Sequence, residues 1–346
     1  MEEPTGKTVT GFLIGAVVAA AVVVAIVVVI RMDPNRREGP PLPAEYIYDL
    51  SELRKVAPEL ILYKPFWQFK TDFRQARAIA VGADGEIHLA GDDSIRILPP
   101  EAVGAAFDAG RARTVKVAGE PRCLAVDKDK TLYVGLGDHV AVYDGQGSLK
   151  AQWEKPGEKA LLTSIALGGE DVFVADAAGR VVLRYDKAGK LIRRIGRKDP
   201  ARNIVGFIVP SPHFDLAMAP DGLLRVANPG QLRIEAYTPG GDLELWWGRP
   251  SPKIEGFAGC CNPVSFAIDA QGRFVTCEKG LRRVKLYDVE GKFLGVVAGP
   301  EAFAKNPPPG GKVGELDVAV DAVGRVLVLD PYTGEVKVFA PKRKAP

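Results

Sequence analysis

Two adjacent cysteines lie in the segment of this chain that could support most chemistry, Gly259-Cys260-Cys261-Asn262-Pro263. Adjacent cysteines can close a flat, rigid disulfide ring, able to stack on a planar ligand. Alternatively, the two thiolates, together with the nearby Cys277, could hold a soft metal ion. In the third interpretation all three cysteines are small residues that fill tight space. No C-x-x-C spacing is present, so a structural zinc site has weak support.

Charged side chains follow shortly afterwards, in Glu278-Lys279-Gly280-Leu281-Arg282-Arg283. Lys279, Arg282 and Arg283 could form an anion-binding edge, and the alternative is a solvated basic loop. Glu278 is either part of the same binding site or an acceptor for loop backbone N–H groups.

His213 and Asp215 are further candidates, because they precede or begin a strand much as the cysteines do. Their alternative role is simple loop packing. The predicted binding residues are therefore Cys260, Cys261, Asn262, Glu278, Lys279, Arg282, His213 and Asp215. No catalytic residue and no cofactor is predicted, and the sequence leaves a metal ion open.

The element that positions these residues is a short strand pattern that occurs six times. Its first residues are Ala78, Cys123, Ser164, Asp215, Ser265 and Asp317, at steps of 45, 41, 51, 50 and 52 residues. Repeats of about 40 to 50 residues made of short strands are typical of β-propellers, with one blade for each repeat. The sequence therefore predicts an all-β, six-bladed β-propeller.

Glycine turns and further strands complete the repeats. Four of the patterns are followed by a turn with glycine, at Gly85, Gly222, Gly272 and Gly324, and then by another apolar run. Glycine adopts positive φ readily, so strand-turn-strand hairpins are expected. A third strand ends on an aromatic residue in most repeats. Trp246 and Trp247, near the end of the fourth repeat, are predicted to pack between blades.

The two ends of the predicted propeller complement each other. The last repeat stops at its third strand, whereas an isolated strand, within residues 60–69, precedes the first complete repeat. We expect this strand to become the outer strand of the last blade. Such pairing would close the ring and remove an exposed sheet edge.

The N-terminal sequence indicates a structural unit separate from the propeller. Residues 9–30 contain no charged side chain and are long enough to cross a bilayer as one helix. No small-residue cleavage motif follows, so a retained anchor is expected. The predicted order is a tail (1–8), a transmembrane helix (9–30), a linker (31–58), the propeller (59–340) and a C-terminal tail (341–346).

Two considerations give opposite membrane orientations. Lys7 precedes the span and Arg31, Arg36 and Arg37 follow it, which favours a cytoplasmic propeller. A short tail before one long apolar run is, however, typical of a signal anchor. We therefore predict an extracytoplasmic propeller, on the periplasmic side of an inner membrane. The small net charge of +3 makes nucleic acid an unexpected partner.

Residues 70–340 resemble NHL repeats. The resemblance rests on stretches such as Asp221-Gly-Leu-Leu-Arg-Val-Ala-Asn228, with a turn glycine and then Asp or Asn after the second strand. The second repeat departs from this pattern, with Leu136 at that position. Residues 210–217 and 259–263 also resemble a membrane-anchored bacterial subgroup of unsettled activity. The resemblance implies a protein-binding or assembly module. With the predicted anchor, we expect a membrane-tethered propeller that docks a protein partner within a membrane complex of redox or transport type.

The resemblance also implies an alternative, because some six-bladed relatives are metal-dependent lyases or lactonases. A zinc site of the lyase type would need several channel histidines, and only His213 is well placed among His88, His139 and His213. A calcium site of the lactonase type would need acidic and amide groups from several blades. Asp215 and Asp317 occupy equivalent positions, but the other blades supply few further ligands.

Overall fold

The computed structural model describes residues 51–105, 112–202, 204–304 and 314–342. These residues form six four-stranded antiparallel sheets, which are the blades of a β-propeller. The predicted fold class is therefore confirmed. The predicted anchor at residues 9–30 lies outside the described residues. In the described part of the chain, no helix is long and apolar enough to cross a membrane.

The blades follow one another along the chain, each built from the inner strand outwards. Blades one to three contain β2 to β13; β1 is assigned below. The strands of blade one (β2–β5) are Ala76–Val81, Ile87–Gly91, Ser94–Leu98 and Arg113–Lys116. Those of blade two (β6–β9) are Cys123–Val126, Leu132–Gly135, Val140–Tyr143 and Leu149–Gln152. Those of blade three (β10–β13) are Leu162–Gly168, Asp171–Asp176, Val181–Asp186 and Leu191–Ile195.

Blades four to six contain the remaining strands. The strands of blade four (β14–β17) are Leu216–Met218, Leu224–Asn228, Arg233–Tyr237 and Leu243–Trp247. Those of blade five (β18–β21) are Ser265–Ile268, Phe274–Cys277, Val284–Tyr287 and Phe293–Ala298. Those of blade six are β22 to β24, at Asp317–Val320, Val326–Asp330 and Glu335–Pro341, and β1, at Tyr63–Lys70.

Helical structure in the described residues is limited to short segments. Helix α1 is Ser51–Arg54, and the 3₁₀ turns are Pro58–Leu60, Pro100–Ala102, Pro200–Arg202, Pro229–Gln231 and Pro300–Ala302.

The closure of the ring is confirmed. Strand β1 pairs antiparallel with β24, with Tyr63 opposite Pro341 and Lys70 opposite Glu335. An N-terminal strand thus completes the blade made of the last three strands, and the outer edge of β24 is covered. The four predicted turn glycines all have positive φ, for example +78° at Gly272.

An apolar cluster fills each of the six interfaces between neighbouring blades. This follows from the alternation of side chains along a strand. In β20, for example, Leu286 packs towards blade six, and Tyr287 packs towards blade four. Trp247 joins the latter cluster, as predicted. Trp246 does not: it is 54% exposed, and the Arg233 guanidinium lies 4.7 Å from its ring centroid.

Candidate functional site

The six inner strands all begin at one end of the propeller. Because each second strand runs antiparallel to its inner strand, the loops that follow the second strands meet at the same end. We call this end the upper face; in blade five it is formed by residues 258–264 and 278–283. At its centre is a cavity of about 310 Å³. Polar groups that line it include Arg77, Arg122, His213, Asp215, Glu315 and Asp317.

Two carboxylates in this cavity link neighbouring blades. Asp215 Oδ2 accepts a hydrogen bond of 2.7 Å from the backbone N–H of Phe266 in blade five. Asp317 Oδ2 accepts one of 2.8 Å from the backbone N–H of Ile79 in blade one. Asp317 Oδ1 accepts another, of 2.9 Å, from the Ser265 hydroxyl in blade five. Both carboxylates therefore stabilise the ring at its axis.

The surroundings of Asp215 favour its neutral form. Burial raises the pKa of Asp215 to about 7, and the negative charge of Asp317 contributes in the same direction. The Ser164 hydroxyl and the Phe266 backbone N–H partly oppose this rise. Near neutral pH, Asp215 therefore populates both protonation states.

His213 lines the same cavity and is half-buried. Burial lowers its pKa to about 4, and the positive charge of Lys279 adds to the effect. The imidazole is therefore neutral at physiological pH. His213 was predicted to line the same mouth as the cysteines, and it lies in the lining of the central cavity.

The adjacent cysteines lie on the upper face as two free thiols. Cys260 is exposed and Cys261 is buried, and their sulfur atoms are 3.3 Å apart in a hydrogen bond. Burial and the neighbouring Cys260 thiol raise the pKa of Cys261, whereas the Ser211 hydroxyl and the Lys279 charge lower it. Cys277, by contrast, is buried in the apolar cluster between blades five and six.

Asn262 fixes the loop that carries the cysteines. Its side chain is 2% exposed and donates 2.5 Å and 3.3 Å hydrogen bonds to the carbonyl oxygens of Ala258 and Lys279. Its Oδ1 accepts a 2.7 Å bond from the Lys279 backbone N–H. One buried amide thus joins the loop before β18 to the loop after β19.

Glu278 supports the same loop from below. It is fully buried, pairs with the guanidinium of Arg283, and its Oε1 lies 3.2 Å from the ammonium of Lys285. The same oxygen accepts a 3.4 Å hydrogen bond from the Ala258 backbone N–H. The interpretation of Glu278 as a loop acceptor is therefore supported.

Equivalent residues in three other blades act in the same way. Asp176 accepts hydrogen bonds from the backbone N–H groups of Leu161 and Gly179, at 3.0 Å and 2.9 Å. Asn228 accepts one from Ile208 at 3.0 Å, and Asp330 accepts one from Tyr332 at 3.0 Å. The acidic or amide residue after the second strand is thus a general support for the upper loops.

Arg282 is not on the surface where an anion-binding edge would require it. Its side chain is buried, pairs with Asp330, lies 4.0 Å from Glu315 and stacks 3.8 Å from the centroid of the Tyr332 ring. Arg283 is buried as well, so of the three cations proposed for the edge only Lys279 is partly exposed. The reason is that blade six supplies the carboxylates that neutralise Arg282.

Six of the eight predicted binding residues lie in the two upper loops of blade five, where Glu278 and Arg282 are buried beneath the surface. The other two, His213 and Asp215, line the central cavity. Two participants were missed by sequence reasoning. Lys285 could have been noticed as a lysine in the otherwise apolar strand Val284–Tyr287, and Glu315 as the carboxylate two residues before Asp317. Among the described residues, no three His, Cys, Asp or Glu side chains are grouped so that they could hold a metal ion.

Comparison with known proteins identifies the fold. No protein-family model matches the sequence, and no curated protein matches it significantly. A protein of unknown function from Bacteroides thetaiotaomicron is similar in structure, with a TM-score of 0.58 and 16% identity over 81% of this chain and 72% of that one.

Two similar structures belong to enzymes. A streptogramin B lyase has a TM-score of 0.54 and 11% identity over 80% of this chain and 97% of its own. A gluconolactonase of Xanthomonas campestris has a TM-score of 0.56 and 15% identity, over 79% and 88%. At these identities the similarity shows the propeller fold alone.

Proposed function

We propose that the protein is a membrane-tethered propeller of the NHL type that serves as a protein-binding or assembly module. The docking surface is the part of the upper face around Gly259, Cys260 and Lys279, next to His213. In this proposal residues 9–30 anchor the chain, the propeller lies on the periplasmic side, and the partner belongs to a membrane complex of redox or transport type.

The observation that carries the proposal is the preorganised loop around Cys260. Gly259 and Cys260 are exposed, yet buried Asn262 and Glu278 hold the loop on both sides of them. A loop already fixed in one conformation loses little conformational entropy when a partner binds. The rigid support therefore favours recognition of another molecule at this position.

The buried residues of the site determine which variants can test docking. Alanine at Glu278 or Arg282 would leave buried charges unpaired and would disturb folding as well as binding. Cys260→Arg instead places a bulky cation on the exposed loop. Gln271→Arg is the matched control, because Gln271 is exposed in the same blade but lies in the β18–β19 turn at the opposite end.

The test is stoichiometric co-purification from native membranes. The wild type and Gln271→Arg should retain the same membrane protein partner, and Cys260→Arg should lose it while keeping the wild-type melting temperature. If Cys260→Arg retains the partner at wild-type stoichiometry, the upper face of blade five is not the docking surface.

A second candidate function is favoured by one specific observation. Asp215 is held near its midpoint of protonation within a polar cavity, beside a neutral His213. Such a pair could serve a catalytic or sensory propeller of the lyase or lactonase type that acts on a small molecule, an alternative for which the sequence left a calcium ion or a soft metal open. Asp215→Asn should then abolish turnover or ligand binding without affecting the membrane partner. Metal-independent melting of protein purified without metal would argue against the metal-dependent form.

A further inference from the structure

We propose that Cys260 and Cys261 form a dithiol that reduces disulfide bonds by thiol–disulfide exchange and is itself converted to a disulfide. The inference stands on the arrangement of the two thiols. Their sulfur atoms are already 3.3 Å apart, and only Cys260 is exposed. The described cysteines Cys123 and Cys277 are both buried. A substrate disulfide can therefore reach Cys260 from solvent, whereas Cys261 is covered.

The reaction balances without any group beyond the substrate. The Cys260 thiolate attacks one sulfur of the substrate disulfide, forms a mixed disulfide with it and releases the other sulfur as a thiolate. The Cys261 sulfur then attacks Cys260 and displaces the remaining half of the substrate, whose leaving sulfur takes up the Cys261 proton. Two thiols are oxidised to one disulfide, and one substrate disulfide is reduced to two thiols.

Exposure assigns the order of the two steps. Cys260 reaches solvent and meets the substrate first, whereas Cys261 is 4% exposed and meets only Cys260. Burial and the neighbouring Cys260 thiol raise the pKa of Cys261, and the positive charge of Lys279 opposes part of this rise. The Lys279 backbone N–H and carbonyl are both hydrogen-bonded to Asn262, next to Cys261, so Lys279 is held near the resolving thiol and acts as a positioning residue for the second step.

The loop that carries Cys260 and Cys261 is held in place by Asn262, which favours thiol–disulfide exchange at this position. Asn262, next to Cys261, anchors the chain to the backbone of both Ala258 and Lys279. The cysteine pair and the Lys279 backbone are thus held by one buried side chain.

The test uses the purified, fully reduced full-length protein and glutathione disulfide as the probe, followed by intact mass and peptide mapping. The wild type should end with a Cys260–Cys261 disulfide and no lasting adduct. Cys261→Ser should stop at one glutathione on Cys260. Cys260→Ser should react on the order of tenfold more slowly, because burial restricts access to Cys261. Cys123→Ser is the matched control and should behave as the wild type.

A comparison of two Lys279 variants distinguishes an effect on the resolving step from a loss of structural support. Lys279→Gln should prolong the mixed disulfide, and Lys279→Arg should restore its rapid loss. The proposal is overturned if the wild type retains glutathione on Cys260, or if Cys260→Ser reacts as fast as the wild type. Since the assay contains no protein partner, its result is independent of the docking proposal, which the co-purification test addresses.

Discussion

The buried charges beneath the upper face provide a quantitative prediction at Glu278. Its carboxylate is fully buried and pairs with Arg283 and Lys285, which are 1% and 0% exposed. Glu278→Ala removes the shared anion and leaves two cations in the interior. Removing one partner of a buried ion pair costs roughly 3–5 kcal/mol of unfolding free energy, whereas an exposed pair contributes about 0–1 kcal/mol. We expect Glu278→Ala to lose roughly 3–5 kcal/mol, the range for a buried pair.

Two further variants make this prediction specific. Glu278→Gln keeps the shape but has one accepting oxygen, whereas Ala258 donates to Oε1 and Arg283 to Oε2. One of these bonds and the negative charge are lost, so the loss of unfolding free energy should be intermediate. Glu290→Ala, on the exposed β20–β21 turn of the same blade, should change the unfolding free energy by no more than about 0.5 kcal/mol.

The assay is equilibrium unfolding in urea at neutral pH, followed by tryptophan fluorescence, because Trp247 packs against the cluster of blade five. A loss below about 1 kcal/mol for Glu278→Ala would show that water or a neighbouring group compensates the cations. In that case the assignment of Glu278 as the central support of the loop would be wrong.

Three other predictions concern closure and pH. Deleting residues 59–70 removes β1 and uncovers β24, so the propeller should lose its single cooperative melting transition; an unchanged transition would contradict the closure. Because burial raises the folded-state pKa of Asp215 to about 7, its contribution to stability should be present below about pH 4 and lost as pH rises towards 7. The difference in unfolding free energy between wild type and Asp215→Asn should therefore change with pH in that window, and a constant difference would refute the shift. Burial lowers the pKa of Lys285 to about 8, so the folded state binds fewer protons than the unfolded state between about pH 8 and 10. Wild-type stability should rise there relative to Lys285→Met, and a parallel decline of both proteins would contradict it.

The blades could be predicted from the sequence because their signals are local. A short apolar strand, a turn glycine and a second strand repeat at nearly constant spacing, and each hairpin uses residues close together in the chain. The missing outer strand of the last repeat could also be assigned from the sequence, because an isolated strand within residues 60–69 belonged to no other repeat. Its pairing with β24 needed only the general rule that propeller edges are closed.

The partners of the charged residues could not be predicted in the same way. Arg282 is paired with Asp330 and Glu315, which come from the neighbouring blade and are 48 and 33 positions away along the chain. Nothing local in the sequence distinguishes this buried arginine from an exposed one. Trp246 and Trp247 differ for a local reason instead: side chains alternate along a strand, so one of two adjacent tryptophans lies in the core and the other in solvent.

The most direct test of the account measures the accessibility of Cys260 in native membranes. The reduced protein is alkylated in the membrane and again after purification away from its partners, and the rate at Cys260 is read by peptide mapping. Cys123 and Cys277 are buried internal controls and should stay slow in both samples. We predict that Cys260 reacts slowly in the membrane and rapidly once isolated. Equal, rapid alkylation of Cys260 in both samples would show that no partner covers this face.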